Sequence, residues 1–383
     1  MKTLCTSFVM AAAAAFCLPF TSPAQAQGVK IALLQELSGA GASAGTNARN
    51  GAMLAIKEIN EAGGILGKKI EALLSDTQSN PGVAKGLANK AVDDGVFAVI
   101  GPTFSGSIMV SMAETRRAEI PNFTGGEAAS ITQQGNPYIF RTSFTQTSSM
   151  PRVARYMAEK LKAKTVAVLF VNNDFGKGGR DAFSKAAEAA GMKVVADIST
   201  EGGQVDWAAP VLKAKQSNAD AIFVYTNEEE SARALRELRK QGITKPIVGE
   251  TTLTGQKVIE LAGEAANGAV AHVGLTVDAP NPLMLKFKAK FFQEYKVISD
   301  HNGIKGYTAV YMLKAATEKV GKFDRVAVAK ALHGLCISAA KAPGVLMDVC
   351  FDDKGDLDRE SYIIEVKDGR QVVREVLPAL GKK

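Results

Sequence analysis

Reactive side chains are scarce in this chain. Its 383 residues hold four cysteines, three histidines and one tryptophan. His272, His301 and His333 stand far apart, without the spacing of metal ligands, so no metal centre is expected. No Gly-x-Ser-x-Gly elbow is present: in GPTFSGS, Thr103 stands where the first glycine of that motif belongs. Asp174 to Gly179 (DFGKGG) fits neither the dinucleotide fingerprint nor the phosphate-binding loop. No catalytic set assembles, and no cofactor is expected. Beyond residue 28 no run is long and apolar enough to span a bilayer. The net charge of +7 is modest for the length, and the lysines are spread along the chain, so nucleic acid is not an expected partner.

The long apolar run that does exist lies at the start. Met1-Lys2 is followed by an uncharged stretch with an apolar core from Leu4 to Leu18, then Pro19, Pro23 and Ala24-Gln25-Ala26. This is the layout of a secretory signal peptide over residues 1–26, cut before Gln27, and it predicts an exported protein. Lipid attachment at Cys17 is disfavoured by the bulky Phe16 before it. Cys5 and Cys17 leave with the signal, which leaves Cys336 and Cys350 as an even pair in an oxidising compartment. A disulfide is expected, its loop of about 15 residues contributing roughly 3 kcal/mol.

Residues 27–383 suffice for two domains. Val29 to Leu34 is an apolar run broken only by Lys30, as in a strand covered on both faces. A loop rich in glycine and serine follows from Ser38 to Gly45, then a helix that Thr46 could cap. Ala52, Ile56 and Ile59 line its apolar face, and Asn60 with Gly63-Gly64 ends it. Further strand-like runs at Ile70 to Leu74, Phe97 to Ile100, Ile120 to Phe123 and Tyr138 to Arg141 continue a βαβ series. A second series occupies Thr165 to Phe170, Lys193 to Ile198, Ala221 to Tyr225, Pro246 to Val248 and Gly268 to Leu275. Parallel strands joined through helices need right-handed crossovers and helices on both faces. The fold class is therefore α/β, with two doubly wound, Rossmann-like lobes. Helices over Asn302 to Val320 and Val326 to Leu335, and a final strand pair, complete those lobes. Crossings are expected at Arg141 to Thr145, Gly274 to Asp278 and Cys350 to Gly355. Lobe 1 is then 27–142 plus 276–350, and lobe 2 is 143–275 plus 351–383.

Small polar loops recur at the carboxyl ends of the expected strands, where open α/β sheets bind ligands. They are Ser38 to Gly45, Gly101 to Ser107 and Thr124 to Ala129 in the first lobe. In the second they are Asn172 to Gly179, Thr226 to Glu230 and Gly249 to Thr254. Ser105, just before a helix, offers a hydroxyl and amides suited to a carboxylate or to plain capping. Thr124-Gly125-Gly126 offers carbonyls, or a simple turn. Glu250 could answer a ligand ammonium. Glu228-Glu229-Glu230 reads as a solvated helix start, and Trp207 as a packing residue.

The motifs SGAGASAG, EINEAGGILGKKIE, DTQSNP, VIGPTFSGS, IPNFTGG, NNDFGKGG and FDDKGDL run in order through the chain. Together they resemble the periplasmic substrate-binding proteins of branched-chain amino-acid ABC transporters, the leucine/isoleucine/valine-binding type. The resemblance implies a type I periplasmic-binding-protein fold with a three-segment hinge. It also implies no enzymatic activity, closure over one small ligand as a monomer, and delivery to a membrane ABC permease. By matched position it places Ala44, Thr103, Phe104, Ser105, Thr124, Gly126, Glu127, Ala128, Phe175, Asn227 and Glu250 at the ligand. Ser105 would hold the ligand carboxylate, and the Gly126 carbonyl and Glu250 its ammonium. Departures are visible. Ala128 replaces a threonine, with Glu127 beside it; Phe175, Asn227 and Ala44 stand for tyrosines; Ser79 and Phe104 stand where the family has a first-lobe disulfide. The expected ligand is a branched-chain or other hydrophobic amino acid, with aromatic acids, amides and other small carboxylates as alternatives. Work as a sensing module through a separate receptor is a further alternative.

Overall fold

A computed structural model describes residues 28–381. The expected signal peptide, with Cys5 and Cys17, lies outside the described residues. The first lobe opens with strand β1 (Val29–Gln35), helix α1 (Ala42–Glu61), β2 (Ile70–Asp76), α2 (Pro81–Asp93), β3 (Ala98–Ile100), α3 (Ser105–Arg117), β4 (Asn122–Thr124) and β5 (Ile139–Arg141). These strands form one parallel sheet in the order β2-β1-β3-β4-β5.

The chain then crosses to α4 (Gln146–Glu159), β6 (Thr165–Val171), α5 (Asp174–Ala189), β7 (Lys193–Thr200), α6 (Ala208–Gln216), β8 (Ala221–Tyr225), α7 (Glu228–Lys240), β9 (Ile247–Glu250), α8 (Gln256–Ala262) and β10 (Val270–Val273). It returns for α9 (Pro282–Tyr295), α10 (His301–Val320), α11 (Arg325–Leu332) and a small antiparallel sheet, β11 (Cys336–Ile337), β12 (Val349–Phe351) and β13 (Leu357–Asp358). A last crossing leads to β14 (Ser361–Lys367) and β15 (Arg370–Leu377), antiparallel additions beside β10. The second sheet runs β15-β14-β10-β9-β8-β6-β7. Its five parallel strands repeat the winding of the first lobe. In each sheet the order reverses beside the lobe's first strand, between β1 and β3 and between β6 and β8.

Most expected elements form, and the differences have local causes. Helix α1 starts at Ala42, so Thr46 lies inside it rather than capping it. Gly45 permits this early start, because a Cβ there would fall 2.0 Å from the Glu36 carbonyl. Asn60 does close the far end, bonding both backbone groups of Ile70. The buried face of α1 packs largely on α10: a Cβ on Gly51 would lie 1.9 Å from the Gly303 carbonyl, and one on Gly306 would lie 2.0 Å from that of Ala48.

The third crossing falls later than expected. Residues 351–358 pack on the first lobe, with Phe351 against Phe123 and Phe140, and with Asp356 paired to Arg141 at 2.7 Å. The chain therefore leaves that lobe between Asp358 and Ser361. The three crossing segments touch one another: Arg359 Nη2 donates to the Thr142 carbonyl at 3.0 Å, and a Cβ on Gly274 would meet the Phe144 ring at 2.4 Å.

Cys336 and Cys350 are direct partners across β11 and β12. The expected bond between them is nevertheless not formed. The Cys336 thiol turns instead toward the Gly334 carbonyl, 3.9 Å away.

Candidate functional site

A cavity of about 330 Å³ lies between the lobes. Its walls come from the loops at both reversal points, as open α/β sheets dictate. After β1 come Ala40 and Ala44; after β3 come Thr103, Phe104 and the Ser105-Gly106-Ser107 turn; Gly125, Gly126 and Glu127 follow β4. Opposite stand Asn173 and Phe175 after β6, Asn227 and Glu228 after β8, and Thr252 after β9. The start of α10 adds His301, Asn302 and Lys305. The lobes also meet at the rim, where Gly106 of α3 faces Asp174 of α5.

The loop after β3 is fixed by the residues that end β1. The Gln35 side chain donates to the Ile100 carbonyl at 3.1 Å and accepts from the Thr103 hydroxyl at 3.2 Å. The buried Glu36 carboxylate accepts from the amides of Thr103 and Phe104 at 3.0 and 3.1 Å. Burial raises its pKa, and the two amides oppose that shift. Ser79, at one of the family's cysteine positions, ties the neighbouring loop by accepting from Gly41 N at 2.9 Å and donating to the Ser38 carbonyl at 2.7 Å.

Ser105 is the first residue of α3, not the one before it. Its hydroxyl accepts from Ala128 N at 3.3 Å, which joins the loops after β3 and β4. No side chain caps α3. The first-turn amides of a helix have no acceptor within it, so Ser105, Gly106 and Ser107 present a partial positive charge at the cavity wall.

Three expected site residues are engaged elsewhere. Thr124 bonds Pro102 through its hydroxyl at 2.8 Å and Thr142 through its carbonyl, and does not line the cavity. Ala128 is buried beside Ile108 and Ile131, also off the cavity. Glu250 lies behind the wall: its carboxylate accepts from Thr251 N and stands 3.2 Å from His272 Nδ1. Burial raises the Glu250 pKa to about 7 and lowers that of His272 to about 3. The Gly126 carbonyl, expected to face an ammonium, already accepts from the buried Arg141 guanidinium and from Ser143 Oγ at 3.0 Å. Gly126 itself lines the cavity, and glycine is required there because a Cβ would lie 2.4 Å from Ile108 Cδ1.

Glu127 does reach the cavity. Its carboxylate accepts from the Tyr225 hydroxyl at 3.0 Å and pairs with Lys305 at 3.4 Å. Burial, and then the charge of Glu250 behind it, raise its pKa to about 7. Phe175 stacks on Tyr225 with ring centroids 4.2 Å apart, and its carbonyl accepts from Gln146 Nε2 at 2.7 Å. Asn227 caps α7. Of the three glutamates that begin that helix only Glu229 is solvated, contrary to the sequence reading. Glu228 accepts from Asn302 Nδ2 at 3.3 Å, and burial and then Asp300 raise its pKa to about 7. Glu230 accepts from Asn227 N at 2.9 Å. Trp207 packs in the second lobe's core, as expected.

The sequence reading missed the start of α10. Asp300 caps that helix, accepting from Asn302 N at 2.8 Å, and so aims His301, Asn302 and Lys305 into the cavity. Lys305 is 6% exposed and donates to the Gly125 carbonyl at 3.1 Å as well as to Glu127. The available signal was a capping aspartate followed by polar residues at positions that share one face at the start of an apolar helix.

A profile of the family described as "Periplasmic binding protein" matches residues 28–371. The leucine-, isoleucine-, valine-, threonine- and alanine-binding protein of Pseudomonas aeruginosa is 29% identical over 343 residues, 88% of this chain and 89% of its own length. The branched-chain amino acid transporter substrate binding protein LivJ of Streptococcus pneumoniae, solved with isoleucine, superposes with a TM-score of 0.83 at 26% identity, covering 92% of this chain and 99% of its own. A solute binding protein of an ABC transporter from R. palustris, solved with benzoate, superposes at 0.85 with 22% identity, covering 93% of this chain and 98% of its own, and shares the fold.

Proposed function

We propose a function from one premise, that this chain belongs to the periplasmic binding protein family. It is then a non-enzymatic receptor of an ABC transporter. It is exported by the signal at residues 1–26, acts as a monomer, encloses one small carboxylate-bearing solute between its lobes and presents it to a membrane permease. The observation that supports this most is the composition of the cavity. The uncapped start of α3 offers amides to an anion, Phe104 and Phe175 supply apolar wall, and the residues come from both lobes. Relatives named for leucine, isoleucine and valine set the size of solute expected.

Binding begins on the first lobe, where Ser105, Gly106 and Ser107 take the carboxylate. Phe175, Asn227 and Glu228 contact the solute only when the lobes meet, and only such differential contacts shift the open–closed balance. Ser105 has a positioning part as well, since its hydroxyl holds the amide of Ala128.

The test is thermal unfolding of residues 27–383 against leucine, isoleucine, valine and small aromatic acids, with small-angle scattering on any hit. A solute at about 1,000 times its Kd adds about 4 kcal/mol, and its scattering radius should shrink. A tight solute that leaves the radius unchanged would overturn capture by closure.

A further inference from the structure

Each acceptor that the family pattern offers to a ligand ammonium already has a donor from the chain itself or sits off the cavity. The Gly126 carbonyl is taken by Arg141 and Ser143. Glu250 lies behind the wall. The Gly125 carbonyl and the Glu127 carboxylate, which do reach the cavity, both receive Lys305 Nζ, and the second Glu127 oxygen receives Tyr225.

We propose that Lys305 is a built-in ammonium that fills this subsite, so that the solute is a small carboxylate without an α-ammonium, such as a 2-oxo acid or an aromatic acid. The inference rests on the receptor reading above and narrows its substrate class.

Four observations argue for it. Lys305 is held in place: Asp300 fixes the start of its helix, α10 crosses α1 through Gly51 and Gly306, and a Cβ on Gly125 would meet the Lys305 stem at 3.2 Å. A second ammonium in the same enclosed space would face a like charge at Gly125 and Glu127, and the other carboxylates of the wall, Glu228 and Glu230, already accept from Asn302 Nδ2 and from the amides of Gly203 and Asn227. The carboxylate end is untouched by this arrangement, because Lys305 bonds the Gly125 carbonyl and Glu127 and leaves the first-turn amides of α3 unengaged. Lys305 has three N–H groups and two acceptors among the described residues. The third is available to a neutral oxygen, as a 2-oxo group would supply.

Isothermal titration of the mature chain with L-leucine, 4-methyl-2-oxopentanoate and benzoate tests this. These probes share the carboxylate, and the first two share the side chain. At least one of the ammonium-free acids should bind about tenfold or more tighter than leucine. Lys305→Met keeps the length of the side chain and frees Gly125 and Glu127, so it should weaken the acids and strengthen leucine. Wild-type protein that prefers leucine overturns the inference and leaves the receptor reading intact. A folded Lys305→Met that gains nothing for leucine also overturns it. If the variant does not fold, the wild-type preference decides alone. Binding of none of the three at millimolar concentration, with no compaction in scattering, overturns both readings.

Discussion

Replacing Arg141 with methionine should loosen the cavity wall and the first lobe together. The Arg141 side chain is fully buried and binds the Gly126 carbonyl, the Ala128 carbonyl at 3.1 Å, the Thr132 hydroxyl at 3.0 Å and Asp356 at 2.7 Å. Methionine fills similar space and donates nothing. Gly126 keeps Ser143, Ala128 keeps Ile131 N at 3.2 Å, and Asp356 keeps Thr132 and some solvent, so the loss is chiefly that of the buried ion pair. Breaking a buried ion pair from one side costs about 3 to 5 kcal/mol. The partial rescue of Asp356 places the expected loss at the lower end of that range, about 3 kcal/mol. With an unfolding entropy of about 2.1 cal/mol/K per residue over roughly 350 residues, this corresponds to a fall in Tm of about 4 °C. Circular dichroism melts read it directly. Lys57→Met, which removes one end of an exposed pair with Glu294, is the control and should shift the melt by less than about 1 °C. An Arg141→Met melt that matches the control would refute the view that this guanidinium holds the 126–128 loop.

Stability should depend on pH with a definite sign. Glu127, Glu228 and Glu250 have folded pKa values near 7 against an ordinary 4.5, so their contribution is full below about pH 4.5 and is lost as pH rises through 7. His272, held near 3 against 6.5, opposes this with stability that is lost as pH falls below 6.5. Between pH 8 and pH 6 the three carboxyls contribute about 1.4 kcal/mol each and His272 withdraws less than about 1. Urea unfolding should therefore show a net gain of a few kcal/mol at pH 6, and a flat or opposite profile would remove the basis for these shifts. Gly306→Ala should destabilise by about 2 kcal/mol through its clash with the Ala48 carbonyl, whereas Gly86→Ala, in open space on α2, should stabilise by about 0.5 to 1. Equal effects in chemical denaturation would contradict the close crossing of α1 and α10.

The fold was legible because the inner parallel strands are largely apolar runs, the edge strands β2 and β7 mixing apolar with polar positions, and the crossover helices between them keep an apolar face. The loops that line the cavity were legible for the same reason, since they sit where those runs stop. What was hidden depended on partners distant in the chain. Whether a carbonyl is free for a ligand cannot be read from Thr124-Gly125-Gly126 itself, because Arg141 and Ser143 decide it for Gly126 and Lys305 decides it for Gly125. Glu250 matched the family position, yet its carboxylate is engaged by Thr251 N and stands 3.2 Å from His272 Nδ1, off the cavity wall. Lys305 lies 180 residues from its carbonyl partner on a helix that otherwise reads as core. The late third crossing had the same origin: FDDKGDL reads as a turn in either lobe, and distant partners, Arg141 on Asp356 and Phe123 and Phe140 on Phe351, assign it to the first.

The position of β14 and β15 has a consequence for the order in which the two sheets can be completed as the chain is made. The five strands of the first sheet are all present once residue 141 has appeared. The second sheet cannot be finished until residues 361–377 arrive, because β14 is the partner of β10. Until then β10 presents an unpaired edge next to a nearly complete sheet, a template for strands of other molecules. Strands β14 and β15 are thus the ones that close the second sheet against aggregation, and a truncation that removes them should be far more harmful than their lateral place in the sheet suggests.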